Sequence, residues 1–393
     1  MVPAAVHGAM PISPANRNND WALPPRPHAV RPVPTGNTTM FALTVVPEQA
    51  GSQELSEVPA PKLNAQADGY ALVRALDIGV CGTDREILAG KYGSAPPGER
   101  HLIIGHESLG EVLHAPEGSS LRPGDLVVGI VRRPDPVPCA ACARDEWDMC
   151  KNGKYTERGI KDRHGYASQR YLVRPSFLVA LPPTLRRVGV LLEPTSVVAK
   201  AWEQIERIGA RARLTPRTAL VTGAGPIGLL AALLGVQRGL EVHVFDRHAK
   251  GAKPALVRAL GAHYHTGELA EIGLNPDVIV ECTGASAVVI DAAMRLAPDG
   301  ILCLTGVSSG GRRIAVDVGM INRELVLENG VIFGSVNANR RHYAAAASAL
   351  MRADRHWLEG LISRRVPLGR WQEAFAEQPN DIKVVIDFDR HAP

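Results

Sequence analysis

The feature that most constrains the fold of this chain is the glycine-rich segment GAGPIG, which lies between a strand-like run and a helix-like run. The strand-like run is TALVTG and the helix-like run is PIGLLAALLGVQRG. Glycines at these spacings permit a tight turn, let the backbone approach a pyrophosphate and let the helix pack closely on the strand. The amino end of the helix offers amide donors and partial positive charge to phosphate. We therefore predict a dinucleotide site formed by Gly223, Gly225, Pro226, Ile227 and Gly228.

An acidic residue at the end of the next strand-like segment, EVHVFD, bears on the choice of dinucleotide. Asp246 lies 18 residues after Gly228, and a carboxylate there accepts hydrogen bonds from the adenosine ribose hydroxyls, which favours NAD. The basic residues Arg247, His248 and Lys250 follow at once and are placed to hold a 2′-phosphate, unless they form only a solvated loop. We therefore expect NAD to be preferred and NADP to be accepted.

The pattern of apolar runs changes along the chain and predicts an α/β protein of two domains. Residues 198–335 alternate strands with helices, which indicates a Rossmann domain with a doubly wound parallel sheet. Residues 40–197 hold short strands between Gly and Pro turns, typical of an irregular, mostly antiparallel β-rich domain. Residues 336–393 end in the strand KVVIDF, and we expect them to pack back on that domain. Residues 1–39 contain eight prolines and are expected to be a disordered or loosely attached extension, or to precede a true start at Met40.

Three separate motifs carry side chains that together suit a zinc ion. Cys81 lies in CGTD, His106 and Glu107 lie in GHE, and Glu193 lies in LLEP. A thiolate, an imidazole and a carboxylate suit Zn²⁺, and three protein ligands with an open fourth position are typical of a catalytic zinc. We predict Cys81 and His106 as ligands, with Glu107 and Glu193 competing for the third protein position. A single buried cysteine is usually a small hydrophobe, so the joint occurrence of the three motifs carries this prediction.

A reactive zinc beside a dinucleotide indicates hydride transfer to or from an alcohol carbon. Zinc lowers the pKa of a bound water to ~7, and an alcohol should respond similarly. Thr83 is placed to pass the hydroxyl proton towards solvent, although a structural role fits this threonine nearly as well. Asp84 is a candidate to orient a ligand imidazole, the alternative being an N-cap or turn aspartate.

A second thiol cluster, Cys139-x2-Cys142-x7-Cys150, indicates metal binding in a reducing compartment. A closed structural zinc needs four ligands, and the place where a further cysteine would complete the spacing is Pro136, which cannot ligate. Asp135, Asp145 or a water would have to substitute. The alternative is a loop that has partly lost its metal and is held by packing.

Composition and charge argue against several other classes of protein. A net charge of +4 over 393 residues gives no reason to invoke nucleic acid or a membrane surface as a partner. The longest helical apolar run, Leu229 to Val236, is far shorter than the ~20 residues of a membrane span. Pro3, Pro11 and Pro14 interrupt the amino-terminal stretch, so it does not fit a signal peptide and we expect a cytoplasmic protein.

With these residues identified, the chain resembles the zinc-containing medium-chain alcohol dehydrogenases over nearly its whole length from Met40 onward. Within them it is most similar to the glucose 1-dehydrogenases of the archaeal type. The motifs that carry the resemblance are CGTDREI (81–87), GHESLGEV (105–112), VRRPDPVPC (131–139), YTERGI (155–160), LLEP (191–194) and GSVNANRRHY (334–343). The first two mark the superfamily, whereas YTERGI, LLEP and GSVNANRRHY are more specific to the glucose branch.

The resemblance implies a GroES-like β-rich catalytic domain, a Rossmann cofactor domain, a homodimer or homotetramer, and oxidation of an aldose at its anomeric carbon to the lactone. It implies that Cys81, His106 and Glu107 surround the catalytic zinc and that Glu193 reaches both the zinc and the sugar. The further residues implied to contact sugar hydroxyls are Thr83, Glu157 and Asn337. The further residues predicted to contact the dinucleotide are Arg247, Thr283, Gly284 and Asn337. By spacing alone, Glu157 would be a surface salt bridge and Asn337 a turn residue.

Two departures from the family pattern matter, and three alternatives stay open at this point. The incomplete cysteine loop puts the structural zinc in doubt, and Asp246 puts strict NADP use in doubt. The alternatives are another sugar or polyol dehydrogenase, for example one acting on galactose, xylose or sorbitol; a non-catalytic dinucleotide-binding sensor; and a zinc-free quinone or enoyl reductase. The full zinc set argues against the last two.

Overall fold

The structure, a computed structural model, describes residues 38–63, 67–308 and 314–389 of the chain. The extension predicted for residues 1–39 lies outside these residues except for its last two, and Thr39 already begins a strand. The strands are β1 (Thr39–Val45), β2 (Glu54–Pro59), β3 (Ala71–Val80), β4 (Leu102–Ile103), β5 (Glu107–His114), β6 (Leu126–Gly129), β7 (Arg132–Arg133), β8 (Thr156–Arg158), β9 (Asp162–Arg163), β10 (Arg170–Val173), β11 (Leu178–Leu181), β12 (Thr218–Thr222), β13 (Glu241–Phe245), β14 (His263–His265), β15 (Val278–Glu281), β16 (Ile301–Leu304), β17 (Val331–Gly334), β18 (Ile362–Pro367) and β19 (Lys383–Asp387). The α-helices are α1 (Gly82–Leu88), α2 (Leu192–Gly209), α3 (Pro226–Val236), α4 (Ala252–Ala259), α5 (Ser286–Ala293), α6 (Val318–Leu327), α7 (Arg340–Arg352), α8 (Arg355–Leu361) and α9 (Gln372–Phe375).

A six-stranded parallel sheet runs in the order β14-β13-β12-β15-β16-β17. Its central strands are apolar on both faces because helices cover both of them: Val221 and Val244 share a core with α3, whereas Leu220 and Ile279 pack with α5. The strand order reverses between β12 and β15. In open sheets of this kind, ligands bind outside the carboxyl ends of the strands at that point.

A second sheet is mainly antiparallel and runs β11-β6-β5-β3-β19-β18, with β10 paired to the start of β3. The ten-residue strand β3 is long enough to pair with β5, β10 and β19. The pairing of β19 with β3 places the carboxy-terminal segment in the sheet formed by residues 71–181. Two small three-stranded sheets, β2-β1-β4 and β7-β8-β9, complete this irregular β-rich unit. The fold class predicted from the sequence is therefore confirmed.

Helix α2 joins the two units. Its buried face contributes to one continuous core that contains Leu109 and Val128 of the antiparallel sheet as well as Val221 of the parallel sheet. Trp202 is fully buried in this core, and its indole Nε1 donates to the Ala231 carbonyl of α3 at 3.2 Å. The domain boundary predicted between residues 197 and 198 falls inside this helix. Among the described helices, none combines the length and the apolar character needed to cross a membrane.

Candidate active site

A thiol, an imidazole and a carboxylate meet where β3 ends beside the start of β5. The antiparallel register pairs Gly79 with Glu107, so Cys81, two residues beyond the pair, lies next to His106. One ligand atom from each of Cys81, His106 and Glu107 lies within 4.8 Å of the other two. His106 and Glu107 are buried and Cys81 is half-buried. This donor set suits a zinc ion.

Asp84 connects the helix start to the imidazole. One of its carboxylate oxygens accepts from the Cys81 amide at 2.9 Å, which caps α1, and the other lies 3.3 Å from His106 Nδ1. Asp84 therefore lies beside the candidate ligand imidazole, as predicted, and it is the third residue of α1, whereas the N-cap residue is Cys81. Burial lowers the pKa of His106, but the charge of Asp84 and the neighbouring Cys81 outweigh burial, and the pKa lies well above its ordinary value. A carboxylate beside one ring nitrogen is a common arrangement for an imidazole that binds a metal through the other nitrogen.

A buried ion pair that sequence reasoning missed holds Glu107 in place. Lys383 Nζ, at the first residue of β19, lies 2.6 Å from both Glu107 oxygens and donates to the Val80 carbonyl at 3.1 Å. Both side chains are about 98% buried. A Cβ at Gly79 would stand 2.1 Å from Glu107 Oε2, so only glycine leaves room for this carboxylate. Burial opposes the charge of Lys383, but Glu107 and Cys81 raise its pKa above the ordinary value.

Glu193 approaches the same cluster from the first turn of α2. It is buried, and burial, only partly opposed by His106 and Lys383, raises its pKa to about 7. The two candidate carboxylates therefore differ electrostatically. Glu107 has a buried lysine partner, whereas the Glu193 carboxyl accepts no hydrogen bond from any of the residues that the structure describes.

The glycine-rich turn has the geometry that its sequence predicts. Gly223 has a φ of +91°, and a Cβ there would stand 2.9 Å from Thr283 Cγ2. A Cβ at Gly228 would stand 1.7 Å from the Gly223 carbonyl oxygen, so this glycine permits the close packing of α3 on the turn. A Cβ at Gly225 would meet nothing within 4 Å, and this glycine faces open space at the amino end of α3. That space admits a ligand phosphate next to the backbone.

Asp246 ties this turn to the end of β13. Its carboxylate accepts from the Ala224 amide at 2.7 Å and from the His248 amide at 2.9 Å, and His248 Nδ1 lies 2.6 Å from it. Burial raises the pKa of Asp246, but these hydrogen bonds and Lys253, whose Nζ lies 3.4 Å away, bring it below its ordinary value. The carboxylate is therefore charged and already partly engaged. Lys253 was not among the basic residues singled out in the sequence.

Glu281, at the end of β15, organises the residues on the other side of the turn. Its fully buried carboxylate accepts from the Thr283 amide at 2.7 Å and from the Gly284 amide at 3.1 Å, and the Thr283 hydroxyl bonds to it as well. Thr222 Oγ1 also donates to it, at 3.2 Å. Glu281 thus fixes the loop that carries Thr283 and Gly284 at the carboxyl end of the sheet. The acid within VIVECTG was its only signal in the sequence.

One cleft of about 610 Å³ joins the metal-ligand cluster to the glycine-rich turn. Its walls include two residues of the cluster, Cys81 and Glu107, together with Lys383. The dinucleotide-side residues that line it are Gly225, Pro226, Ile227, Gly228, Arg247, His248, Lys253 and Cys282. Lys250 does not line this cleft, and neither does Thr83, which is half-buried in the first turn of α1.

Glu157 and Asn337 form a second polar cluster. Asn337 has a φ of +64° and donates from Nδ2 to Glu157 Oε1 at 2.6 Å, and Arg132 Nε donates to the same oxygen at 3.0 Å. The buried Glu157 is therefore not a surface salt bridge, and the structure brings together two residues separated by 180 positions. Among the described residues, no hydrogen bond or ion pair joins them to Cys81, His106 or Glu107.

The three loop cysteines also meet. The Sγ atoms of Cys139, Cys142 and Cys150 lie within 4.8 Å of one another, and neither Asp135 nor Asp145 supplies a further atom to this group. Hydrogen bonds from the Cys142 and Lys151 amides lower the pKa of the Cys139 thiol to about 6, whereas burial raises that of Cys142 to about 11. The loop offers three sulfur ligands, one fewer than a tetrahedral structural zinc requires.

Comparisons with known proteins agree with this architecture. A family model described as the alcohol dehydrogenase GroES-like domain matches residues 67–183, and one described as the glucose dehydrogenase C-terminus matches residues 186–388. The chain is 41% identical to a glucose 1-dehydrogenase of Methanocella arvoryzae over 88% of this chain and 99% of that protein, and 39% identical to one of Thermoproteus tenax over the same shares. The structure of the Haloferax mediterranei glucose dehydrogenase in complex with NADP, Zn and gluconolactone is similar, with a TM-score of 0.82, 34% identity, and coverage of 90% of this chain and 100% of that one.

Removal of the lysine from the buried ion pair should destabilise the fold. Lys383→Met leaves Glu107 buried without a partner, and we expect the free energy of unfolding to fall by about 3–5 kcal/mol. The measurement is urea unfolding of the metal-free protein, with exposed Lys91→Met as the matched control, which should change stability by less than ~0.5 kcal/mol. The double variant Glu107→Gln/Lys383→Met should recover part of the loss. A loss below ~1 kcal/mol in Lys383→Met would contradict the assignment.

Proposed function

Because this chain belongs to the glucose 1-dehydrogenase family of zinc-containing alcohol dehydrogenases, we propose that it oxidises an aldose at C1 to the lactone with hydride transfer to NAD or NADP. D-Glucose is the first substrate to test. The observation that carries the proposal is the single cleft in which Cys81 and Glu107 face the same space as Gly225 and Gly228. The Haloferax relative, whose structure contains NADP, Zn and gluconolactone, supports it.

The residues present fit a catalytic zinc. Cys81, His106 and one carboxylate, from Glu107 or Glu193, would hold it, and the ion would supply Lewis acidity at the substrate oxygen while NAD(P) accepts the hydride. Asp84 orients the imidazole and Lys383 restrains Glu107. Glu193, with a pKa of about 7, is poised to exchange a proton with a hydroxyl near neutral pH. We propose that Thr83 assists in this proton transfer from the first turn of α1.

Glu157 and Asn337 suit the recognition of sugar hydroxyls, and we propose that they bind the substrate. Arg132 fixes the Glu157 carboxylate, and Asn337 is fixed by its bond to Glu157, so neither group needs to reorganise on binding. A site built from oriented polar groups rejects ligands that leave those groups unpaired. Such a site favours a polyhydroxylated substrate over a simple alcohol.

Our proposal for the Cys139, Cys142 and Cys150 loop is a structural zinc with a non-cysteine fourth ligand.

The metal and the substrate can be tested together. Activity on D-glucose should disappear on chelation and return with Zn²⁺, and Cys81→Ser should lower kcat about a hundredfold or more, because loss of the Lewis acid removes several kcal/mol of stabilisation. Initial rates on a panel of aldoses, polyols and simple alcohols measure both effects. Cys303→Ala, buried within the parallel sheet, serves as the control and should keep its activity. A fully active Cys81→Ser protein would contradict the zinc assignment. Activity on sorbitol alone would contradict the proposal that the substrate is an aldose.

The charged residues around Asp246 indicate how both dinucleotides are accepted. The carboxylate lies where ribose hydroxyls are bound in this fold, which favours NAD. Arg247 and Lys253 line the cleft beside it and offer positive charge to a 2′-phosphate. We therefore propose that this protein uses NAD and also accepts NADP.

Substitution of Arg247 should separate the two cofactors. Arg247→Ala is expected to raise the KM for NADP about five- to tenfold, because an exposed charge-assisted contact contributes about 1–1.4 kcal/mol, and to leave the KM for NAD within about twofold. Steady-state kinetics with saturating sugar measure both constants. Arg258→Ala, which is exposed on α4 outside the cleft, is the control. Equal changes in the two KM values would exclude a role for Arg247 in 2′-phosphate binding.

A homo-oligomer is proposed from the edge of the parallel sheet. Strand β17 has no neighbour on its outer side among the described strands, and α6, although rich in apolar residues, has no buried residue. The exposed fractions of its large apolar side chains are 69% for Val318, 54% for Met320, 66% for Val326 and 59% for Leu327. An exposed apolar helix and an open strand edge, which follow each other in the chain, fit a second copy of the chain. We also retain a cytoplasmic location as a prediction, since the loop thiols suit a reducing compartment.

The oligomer proposal predicts a change of mass. Val326→Glu/Leu327→Glu should shift the protein to a smaller species in size-exclusion chromatography with light scattering, because two buried carboxylates would oppose association. Met351→Glu, at an exposed position on α7, should leave the mass unchanged. Identical masses for all three proteins would place the interface elsewhere or show that the chain is a monomer.

A further inference from the structure

Three histidines and a glutamate lie together on one face of β13 and β14, the last two strands at one edge of the parallel sheet. The register pairs His243 directly with His263. Glu241 precedes His243 by two residues and His265 follows His263 by two, so the alternation of side chains along a strand places all four on the same face. None of them lines the cleft between the metal-ligand cluster and the glycine-rich turn. The side chains of this group therefore lie outside that cleft, and the link to the cofactor side is the backbone hydrogen bond from the Asp246 amide to the His265 carbonyl at 3.1 Å.

Two of the distances within this group match those between the ligands of a tetrahedral metal site. Glu241 Oε1 lies 3.3 Å from His243 Nε2 and 3.5 Å from His263 Nε2, and the three ligand atoms all lie within 4.8 Å of one another. Donors about 2.0–2.1 Å from a tetrahedral zinc are themselves separated by ~3.4 Å. Two imidazoles and a carboxylate also form a known zinc-ligand set.

The central imidazole is already oriented as metal-ligating histidines are. His243 Nδ1 lies 2.8 Å from His265 Nε2, and this contact fixes the plane of the ring. His243 is 88% buried at its side chain, and its Nε2 has no hydrogen-bond partner among the described residues although it points at Glu241. A buried nitrogen without a partner is unfavourable, and a cation between it and the carboxylate would satisfy both groups.

We propose that Glu241, His243 and His263 form a binding site for a divalent transition metal of the zinc class, with His265 orienting His243 and a water completing the coordination. The donors are nitrogen and oxygen only. The site therefore differs chemically from the sulfur-containing groups around Cys81 and Cys139, and it also suits Co²⁺, Ni²⁺ and Cu²⁺.

The position of the site indicates what it does. Strand β14 is three residues long and forms the outer edge of the sheet, held on one side only by β13. A metal that joins His263 to Glu241 and His243 would cross-link this edge to its neighbour. Because the metal binds the folded arrangement in preference to the unfolded chain, it would raise the unfolding temperature, and the rise would grow with the free metal concentration.

The test counts zinc per chain in the full-length protein. Equilibrium dialysis at a fixed micromolar free Zn²⁺ concentration, followed by elemental analysis, should give one equivalent fewer for His263→Gln and for Glu241→Gln than for the unaltered protein. His356→Gln, an exposed histidine on α8, is the matched control and should bind as many ions as the unaltered chain. The zinc-dependent rise in unfolding temperature should shrink in the same two variants.

The rate of glucose oxidation, measured on the same samples, distinguishes loss of this ion from loss of the catalytic ion. Unchanged kcat in His263→Gln and Glu241→Gln shows that the variants are folded and that the lost ion is not the catalytic one. Equal zinc content in all four proteins would overturn the proposal. That result would leave the proposed dehydrogenase activity untouched, since the Cys81 assay tests the activity separately.

Discussion

The arrangement of the candidate active site depends on the buried ion pair between Lys383 and Glu107. Two charges removed from water carry a desolvation cost of several kcal/mol each, which is offset only by close, well-oriented pairing such as the 2.6 Å contacts here. The pair joins the first residue of β19 to the first residue of β5. The carboxy-terminal strand therefore supports a site whose grouped ligands, Cys81, His106 and Glu107, lie at least 276 residues earlier in the chain, and it holds one of the two competing carboxylates beside Cys81 and His106.

The parts of the site that could be read from the sequence are those encoded locally. The turn at Gly223–Gly228 is specified by steric limits within six residues, and the alternation of strands and helices around it predicts the parallel sheet. The group of Cys81, His106 and Glu107 could be predicted because the two short motifs CGTD and GHE, together with LLEP, carry side chains that suit one metal. Lys383, Lys253 and Glu281 were not predicted, because a single charged residue at a strand or helix end has no pattern of its own. Their roles arise only when pairing and packing bring distant segments together.

Chemically similar side chains in this site differ in their pKa values and partners because their surroundings differ. Glu107 and Glu193 are both buried carboxyls near His106, yet Glu107 has a lysine partner and Glu193 has a pKa raised to about 7. A group that titrates near neutrality suits proton exchange, whereas a paired carboxylate suits a fixed charge. The same principle applies to the thiols of Cys139 and Cys142, whose pKa values diverge within one loop. Residue identity alone does not separate these roles.

Helix α2 has a mechanical consequence. Its first turn presents Glu193 to the ligand cluster, and Trp202, more than two turns later, is embedded in the core shared with α3. The helix therefore forms a rigid connection between the unit that carries the glycine-rich turn and the unit that carries the metal-ligand cluster. Any tilt of one unit against the other would move Glu193, at the start of this helix, relative to the Cys81 thiol, which follows β3. The proton exchange proposed for Glu193 would therefore depend on the angle between the two units.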